Sequence, residues 1–337
     1  MPARSLGRRI AMRVVVYGGL LAAPLGWALW PRGKDVRDGR HDRRENGMWL
    51  QHGWLGDNAW FAETGKTLEQ RNAMRSPERV AQLAALLERH GVRDVFPHLC
   101  PANPDGTVMP VDRVATERFL DGLSNHRVMP WIGGVLDSHI HPDRPAWRAQ
   151  FVASAAALCA EHPRFAGVHL NVEPCPSGNQ GFCELLTELR AALPKEALLS
   201  VAAYPPPTFL HPFDDVHWDE GYYRQVARIA DQMVVMMYDT SLKTRSLYRR
   251  IMAAWTREVL AWSEDTPTLL GLPAYDDADT GYHDPEVENL VEGLAGIHEG
   301  LVSLEALPDA YRGVALYSDW EMDDGEWGVM RERFSRT

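Results

Sequence analysis

The stretch GVHLNVEP, residues 167–174, alternates apolar and polar side chains and ends with a single carboxylic acid. Successive side chains of a β-strand point to opposite faces, so His169, Asn171 and Glu173 line one face and three aliphatic residues line the other. Three polar side chains on one face of a buried strand are destabilising unless they are hydrogen-bonded, ion-paired or part of a functional site. The stretch therefore predicts a strand with one apolar face and marks the first place to look for chemistry.

Strand-like and helix-like segments alternate from about residue 47 to the C-terminus. The strand-like segments are 48–54, 94–99, 128–135, 167–173, 198–204, 232–239, 268–275 and 313–320. Between them, stretches such as 77–90, 146–162 and 247–262 carry apolar residues at the three- and four-residue spacing of amphipathic helices. This order predicts an α/β fold, a single (β/α)8 TIM barrel over residues 47–337. An open doubly wound sheet is the alternative, but the sequence lacks the glycine-rich phosphate loop typical of that fold.

Polar and aromatic residues stand at the ends of the predicted strands. A (β/α)8 barrel gathers its functional side chains there, on the C-terminal face. Asn171 and Glu173 end the fourth strand, and Tyr238 and Asp239 end the sixth, so these four are the candidate catalytic residues. The candidates for substrate binding are Trp54, Trp131, Tyr204, Tyr275, Tyr317, Asp319 and Trp320.

The N-terminal segment has the pattern of an export signal. Four arginines within residues 1–13 precede an uncharged run of seventeen residues, 14–30. That length is at the low end for a membrane span, and no small-x-small cleavage site follows it. We expect residues 1–30 to be an uncleaved anchor helix, with a cleaved signal peptide or a buried soluble helix as the alternatives. Residues 31–46 are charged and turn-rich and are predicted to be a linker.

An anchored protein would face the periplasm or the outside from the inner membrane, and a cleaved one would be secreted. The formal net charge of −11 argues against a nucleic-acid or anionic-membrane partner, because no basic excess exists to meet phosphates. The histidines near strand ends are scattered, and no cysteine spacing matches a zinc site, so we expect neither a metal nor another cofactor. Cys175 and Cys183 bracket a turn-rich loop that a disulfide can close, and unpaired thiols are the alternative.

Three of the predicted strands resemble glycoside hydrolase family 18, the chitinase family. Residues 167–174 are similar to that family's fourth-strand signature DGxDxDxE and keep the glycine at Gly167 and the acid at Glu173. Residues 236–239, Met-Met-Tyr-Asp, are similar to its Met-x-Tyr-Asp motif, and residues 313–317 to its Gly-x-x-x-Trp motif. The matches occur in the order of the family, so the resemblance covers the whole predicted barrel.

The sequence also departs from that family at several motif positions. Ala166, His169 and Asn171 stand where the family has aspartates, and Tyr317 stands where it has a tryptophan. The Asn-x-Glu pair is similar to the fourth strand of family 85 endo-β-N-acetylglucosaminidases. His169 lies one pleat below Asn171, so we expect a buried, hydrogen-bonded histidine there.

The resemblance implies hydrolysis of β-linked N-acetylhexosamine in a glycan that contains N-acetylglucosamine. Glu173 would protonate the leaving oxygen, and the 2-acetamido oxygen of the sugar would act as an internal nucleophile. Apolar and aromatic neighbours at the barrel mouth are expected to raise the pKa of Glu173. Asn171 and Tyr238 would hydrogen-bond the acetamido group, and Asp239 would bind a sugar hydroxyl or serve as a second carboxylate.

Two other functions remain open from the sequence. The lost aspartates suggest a carbohydrate-binding barrel that does not cut its ligand. Alternatively, Glu173 acts with Asp239 or Asp319 in a two-carboxylate hydrolase that needs no acetamido group.

Overall fold

Parallel strands form the centre of the computed structural model, which describes residues 33–56, 58–277 and 281–336. Within these ranges the strands are β1 Asn46–Leu50, β2 Val92–Pro97, β3 Arg127–Val128, β4 Trp131–Val135, β5 Gly167–Glu173, β6 Leu198–Ala203, β7 Gln232–Val235, β8 Thr268–Pro273 and β9 Tyr311–Tyr317. They pair in the order β3-β2-β1-β9-β8-β7-β6-β5-β4. The predicted strands are all present, and several end earlier than expected.

The two ends of this order belong to one interrupted strand. β3 and β4 flank Met129 and Pro130, and proline has no N–H to donate to a sheet. β3 pairs with β2 and β4 pairs with β5, while a parallel bridge joins His98 to Trp131. Counting β3 and β4 as one strand therefore gives eight, and the sheet closes into the predicted TIM-like barrel.

Helices connect the strands on the outside of the barrel. They are α1 Asn58–Glu63, α2 Leu68–Met74, α3 Pro77–Arg89, α4 Arg113–Gly122, α5 Pro145–Glu161, α6 Gln180–Ala192, α7 Glu220–Ile229, α8 Arg245–Trp262, α9 Leu290–Val302 and α10 Asp324–Arg333, with a 3₁₀ turn at Asp214–Val216. Short polar residues cap several of them: Asn179, for example, accepts the Phe182 N–H at the start of α6. The helices α1 and α2 were not predicted from the sequence; a helix after the last strand was expected, without bounds, and α10 is that helix.

Apolar residues pack on both sides of the barrel wall. Val168, Leu170 and Val172 of β5 belong to the large core that also contains helix residues such as Leu185 of α6. A smaller cluster of buried residues fills the barrel interior: Trp49, Phe96, Cys100, Met129, Trp131, Val234, Leu269 and Ala315. The alternation along residues 167–173 thus separates an outward apolar face from an inward polar face, as predicted.

A chain of hydrogen bonds crosses the barrel interior. Its members, in order, are Trp49, His169, Ser200, Gln232, Asp94 and Arg127. The indole N–H of Trp49 can only donate, so it must bond to a bare His169 Nε2, 3.0 Å away. The proton of His169 is then on Nδ1, 2.9 Å from Ser200 Oγ. Burial lowers the pKa of His169 to about 3, which keeps the ring neutral. The expectation of a buried, hydrogen-bonded histidine is confirmed.

Beyond Ser200, the hydrogen-bond chain ends in an ion pair between Asp94 and Arg127. Ser200 Oγ donates to Gln232 Oε1 at 2.8 Å, and Gln232 Nε2 donates to Asp94 Oδ2 at 2.7 Å. Arg127 donates to both Asp94 oxygens at 2.6 and 2.7 Å. Asp94 is completely buried, so this pairing is what makes its charge tolerable inside the barrel.

Residues 33–45, part of the segment predicted as a linker, lie against the barrel. Lys34 N–H donates to Ala295 O at 2.9 Å, and the Tyr311 hydroxyl donates to His41 O at 2.7 Å. The predicted anchor, residues 1–30, lies outside the described residues. In the ranges that the structure describes, none of the helices combines the length and the apolar character needed to cross a membrane.

Replacing Ser200 tests the interior chain. In Ser200→Ala, His169 Nδ1–H and Gln232 Oε1 both lose a buried partner, at a cost of about 1–3 kcal/mol each. We expect a corresponding fall in the free energy of unfolding, measured by urea titration. Ser124→Ala, an exposed serine, is the control and should change it by less than about 0.5 kcal/mol. Equal stability of the two variants would show that the interior hydrogen-bond chain does not stabilise the barrel.

Candidate active site

Glu173 and Asn171 form a hydrogen-bonded pair at the open end of β5. Asn171 Nδ2 donates to Glu173 Oε1 at 2.6 Å. Asn171 is 6% exposed, whereas Glu173 reaches solvent. Asn171 Oδ1 is buried and has no hydrogen-bond partner among the described residues. The pair therefore combines a carboxyl that reaches solvent with a buried acceptor that lacks a partner among the described residues.

A glycine on the neighbouring strand permits this arrangement. Gly133 of β4 pairs with Asn171 and has a φ of 129°. A Cβ on Gly133 would come within 1.8 Å of the Asn171 carbonyl oxygen, closer than any side chain allows. Only glycine therefore lets β4 approach β5 beside the pair.

The surroundings of Glu173 favour its protonated form. Although the side chain reaches solvent, protein atoms crowd its carboxyl, and the loss of hydration raises its pKa. The Asn171 hydrogen bond opposes this shift, and the negative charge of Asp239 adds to it. The direction agrees with the expectation from sequence and suits a group that must donate a proton.

Tyrosine rings surround the same carboxyl. Tyr238 stacks on Tyr317 with ring centroids 5.5 Å apart, and Tyr275 meets Tyr317 edge-on at 5.5 Å. Burial raises the pKa of Tyr204, Tyr238 and Tyr317, and the charge of Glu173 raises each further. These hydroxyls therefore stay protonated close to Glu173 and are available as donors.

Asp239 lies in the loop after β7, and residues of the loop after β8 contact it. Its φ of 60° turns the chain at this point. The Tyr275 hydroxyl donates to Asp239 Oδ1. Next to Asp239 lies His283, whose Nδ1 is 3.5 Å from Asp239 Oδ1, and beyond His283 lies the buried Glu288.

Sequence reasoning missed His283 and Glu288. Both follow β8. His283 lies in a turn-rich segment, and Glu288 lies near the start of the helical stretch predicted over residues 285–301, so the only available signal was their charge and their position beyond a strand end. Tyr282 was missed as well; it is 51% exposed, and its pKa is raised by burial and by the charges of Asp239 and Glu173.

On the side of Tyr317 away from β7 and β8, further aromatic rings line the loops after β1 and β2. Trp131 lies 6.1 Å from Tyr317 and 4.0 Å from His98, measured between ring centroids. His98 contacts His52 at 3.6 Å, and His52 stacks on Trp60 at 5.4 Å. Trp320, 38% exposed, meets Tyr317 edge-on at 5.4 Å. Of these rings, the exposed Trp320 offers a face on which a sugar can stack.

Two other residues named from the sequence, Trp54 and Asp319, are packed differently, and Tyr204 is more deeply buried than the other rings near Glu173. Trp54 is 2% exposed and its ring lies 5.5 Å from that of Phe119. Asp319 accepts the Gln51 N–H at 2.6 Å, and burial raises its pKa to about 7. Trp54 and Asp319 line a separate cleft of about 250 Å³, bordered by α3 and α10. Tyr204 is 6% exposed and packs edge-on against a buried tryptophan.

The structure thus brings most of the predicted site residues together. The group around Glu173 consists of Asn171, Tyr204, Tyr238, Asp239, Tyr275 and Tyr317, with Trp131 and Trp320 in contact with Tyr317. Cys175 and Cys183, which flank the loop after β5, are both buried and unpaired.

Comparison of the sequence with models of known families identifies a family. The model of glycosyl hydrolases family 18 matches residues 106–287, more than half of the chain. No curated protein matches the sequence.

Solved structures share the fold at low sequence identity. The spore cortex-lytic enzyme SleL of Bacillus cereus is 12% identical, with 90% of this chain and 76% of that chain covered and a TM-score of 0.54. A chitinase from Chromobacterium violaceum is 16% identical, with 85% and 98% covered and a TM-score of 0.53. A family 18 chitinase from Cycas revoluta, solved with (GlcNAc)3, is 14% identical, with 86% and 98% covered and a TM-score of 0.54.

Removing the charge of Asp239 tests the electrostatics of the site. In Asp239→Asn the pKa of Glu173 should fall, because a nearby negative charge no longer disfavours ionisation of the carboxyl. The measurement is a ¹³C NMR titration of labelled glutamate carboxyls, with Glu173→Gln used to assign the signal. Asp309→Asn, an exposed acid just before β9 at the other end of the barrel, is the control. An unchanged Glu173 pKa in Asp239→Asn would show that the two carboxyls do not interact.

Proposed function

The chain belongs to family 18 of the glycosyl hydrolases, and from this premise we propose that it hydrolyses β-linked N-acetylhexosamine glycans by substrate assistance. Glu173 is the proposed general acid. The substrate class is a glycan that contains N-acetylglucosamine.

The pairing of Asn171 with Glu173 is the observation that carries the proposal. Because Asn171 Nδ2 is engaged with Glu173, the amide is oriented and its Oδ1 is left as a buried acceptor without a partner among the described residues. A buried acceptor is costly unless a donor meets it. The N–H of a 2-acetamido group is such a donor, and binding there would place the sugar next to the acid.

The proposed reaction then has two steps. Glu173 gives its proton to the glycosidic oxygen while the acetamido oxygen attacks the anomeric carbon, so the leaving sugar departs and a cyclic oxazolinium ion forms. Glu173, now a carboxylate, takes a proton from water, and the resulting hydroxide opens the ring with net retention. Tyr238 is the proposed donor to the acetamido oxygen.

Asn171 carries no charge, unlike the aspartate of the family motif. Stabilisation of the cationic intermediate therefore depends more on Asp239, whose charge already acts on Glu173. The aromatic rings of Tyr238, Tyr317 and Trp320 support the proposal of a sugar ligand, because aromatic faces suit the apolar faces of sugar rings.

Glu173→Gln should abolish turnover. Loss of a general acid lowers kcat by about 10²–10⁴-fold, while binding is retained because glutamine has nearly the same shape. The measurement is product formation from chitooligosaccharides, peptidoglycan and N-glycans, together with calorimetry of binding. Glu196→Gln, an exposed glutamate before β6, is the matched control and should keep the wild-type rate.

The other outcomes of this experiment are informative. Turnover by Glu173→Gln at the wild-type rate would refute the acid assignment. Calorimetric binding of N-acetylglucosamine oligomers by the wild type without any product would favour the carbohydrate-binding barrel. Cleavage of glycans that lack the acetamido group would favour the two-carboxylate mechanism.

We also propose that the protein is exported, on the basis of the arginines and the uncharged run within residues 1–30. Fractionation of bacterial cells that express the full chain should recover it in the membrane or periplasmic fraction. A variant without residues 1–30 should stay in the cytosol. Recovery of both proteins in the cytosol would contradict export.

A further inference from the structure

His283 lies between two carboxylates behind the candidate active site. Its Nδ1 is 3.5 Å from Asp239 Oδ1 and 3.9 Å from Glu288 Oε2. Its Nε2 lies 3.1 Å from the backbone carbonyl of Tyr275, and its ring stacks on that of Tyr275 with centroids 4.1 Å apart. The imidazole side chain is completely buried, so its orientation is set by these neighbours.

The partners of His283 dictate where its protons lie. A backbone carbonyl can only accept, so Nε2 must carry a hydrogen in every protonation state. Nδ1 is buried and makes no full hydrogen bond to a described residue, and the groups nearest to it are the two carboxylates. A bare nitrogen facing two acids is unfavourable, so this environment favours a second proton and a positive charge on the ring.

Glu288 connects this histidine to the chain beside Asp239. It is completely buried, and it accepts the Thr240 N–H at 3.0 and 3.1 Å and the Thr240 hydroxyl at 2.8 Å. Burial raises the pKa of Glu288 to about 7, while Thr240 and His283 act in the opposite direction. A carboxyl buried this deeply is destabilising alone, so its retention beside His283 indicates a paired role.

We propose that His283 is a positioning residue whose imidazolium, held between Glu288 and Asp239, fixes the Asp239 carboxylate at the barrel mouth. Tyr275 completes the support, because its hydroxyl donates to Asp239 and its carbonyl holds His283. Two segments, the one after β7 and the one between β8 and α9, converge in this cluster. Its effect on turnover rests on the proposed function, whereas the charge state of His283 does not.

Several other described ionisable groups near the cluster are neutral or paired with another residue. Burial raises the pKa of the Tyr248 hydroxyl of α8, so this group stays neutral. Burial lowers the pKa of His211, which faces Asp239 from the loop after β6, to about 4, so it is neutral as well. Asp284, next in sequence, pairs with Lys243 at 3.2 Å.

The sign of the pH dependence follows from these contacts. Burial alone would lower the pKa of His283, but Asp239 and Glu288 outweigh it and raise the pKa. The imidazolium therefore persists to higher pH than in an ordinary histidine and is lost as the pH rises through the raised value. Removing the charge of Glu288 should bring that loss to lower pH.

An NMR titration of the full chain with ¹⁵N-labelled histidine tests the charge state directly. We expect the His283 ring to titrate above the ordinary value of about 6.5 and to shift down by about one unit in Glu288→Gln. A His283 that titrates at or below the ordinary value, with no shift in Glu288→Gln, would overturn the proposal. This result does not depend on any substrate, so it is separate from the fate of the proposed function.

A kinetic experiment tests the positioning role. His283→Gln keeps a hydrogen-bonding group but cannot carry charge, and it should lower kcat on an N-acetylglucosamine oligomer about ten- to hundredfold. His283→Lys restores a cation and should recover part of the loss. His126→Gln, at the other end of the barrel, is the matched control and should have the wild-type rate. Equal activity of His283→Gln and the control, with both variants folded by circular dichroism, would overturn the positioning role.

Discussion

The hydrogen-bond chain through His169 is the constraint on which the rest of the barrel depends. A neutral imidazole in a closed interior needs a donor on one side and an acceptor on the other, and Trp49 and Ser200 supply them from two different strands. The hydrogen-bond chain continues to a buried carboxylate, Asp94, whose charge is made tolerable by ion pairs with Arg127 and Arg93. Together these bonds hold β5 in register, and the register determines that Asn171 and Glu173 emerge at the mouth.

Electrostatics at the mouth combine opposing effects on neighbouring groups. Crowding and the charge of Asp239 raise the pKa of Glu173, while the Asn171 amide lowers it. Asp239 in turn lies against a histidine whose own pKa is raised by two carboxylates. The same acidic cluster therefore favours a proton on Glu173 and a positive charge on His283. An acid and a fixed carboxylate can coexist in this way within one small site.

Much of the barrel could be predicted, because strand alternation and helix periodicity are local. The polar stripe of β5 and the buried state of His169 followed from a period of two residues. The interruption at Pro130 was missed. The helices α1 and α2 were missed as well, since helices of 6 and 7 residues lack enough turns to show a period. Of the residues named at strand ends, Trp54 and Asp319 line a different cleft, because the chain bends once the regular strand has ended.

The sequence by itself determined the alternation of strands and helices, the face on which Glu173 lies, and the resemblance that indicates a sugar ligand. Only the tertiary structure decided which distant residues meet, such as His283 with Asp239, and that Asn171 Oδ1 is buried without a partner among the described residues. The physical reason is that periodicity reports the direction of a side chain relative to its own backbone. Contacts between segments, and the pKa shifts they cause, exist only after the barrel has closed.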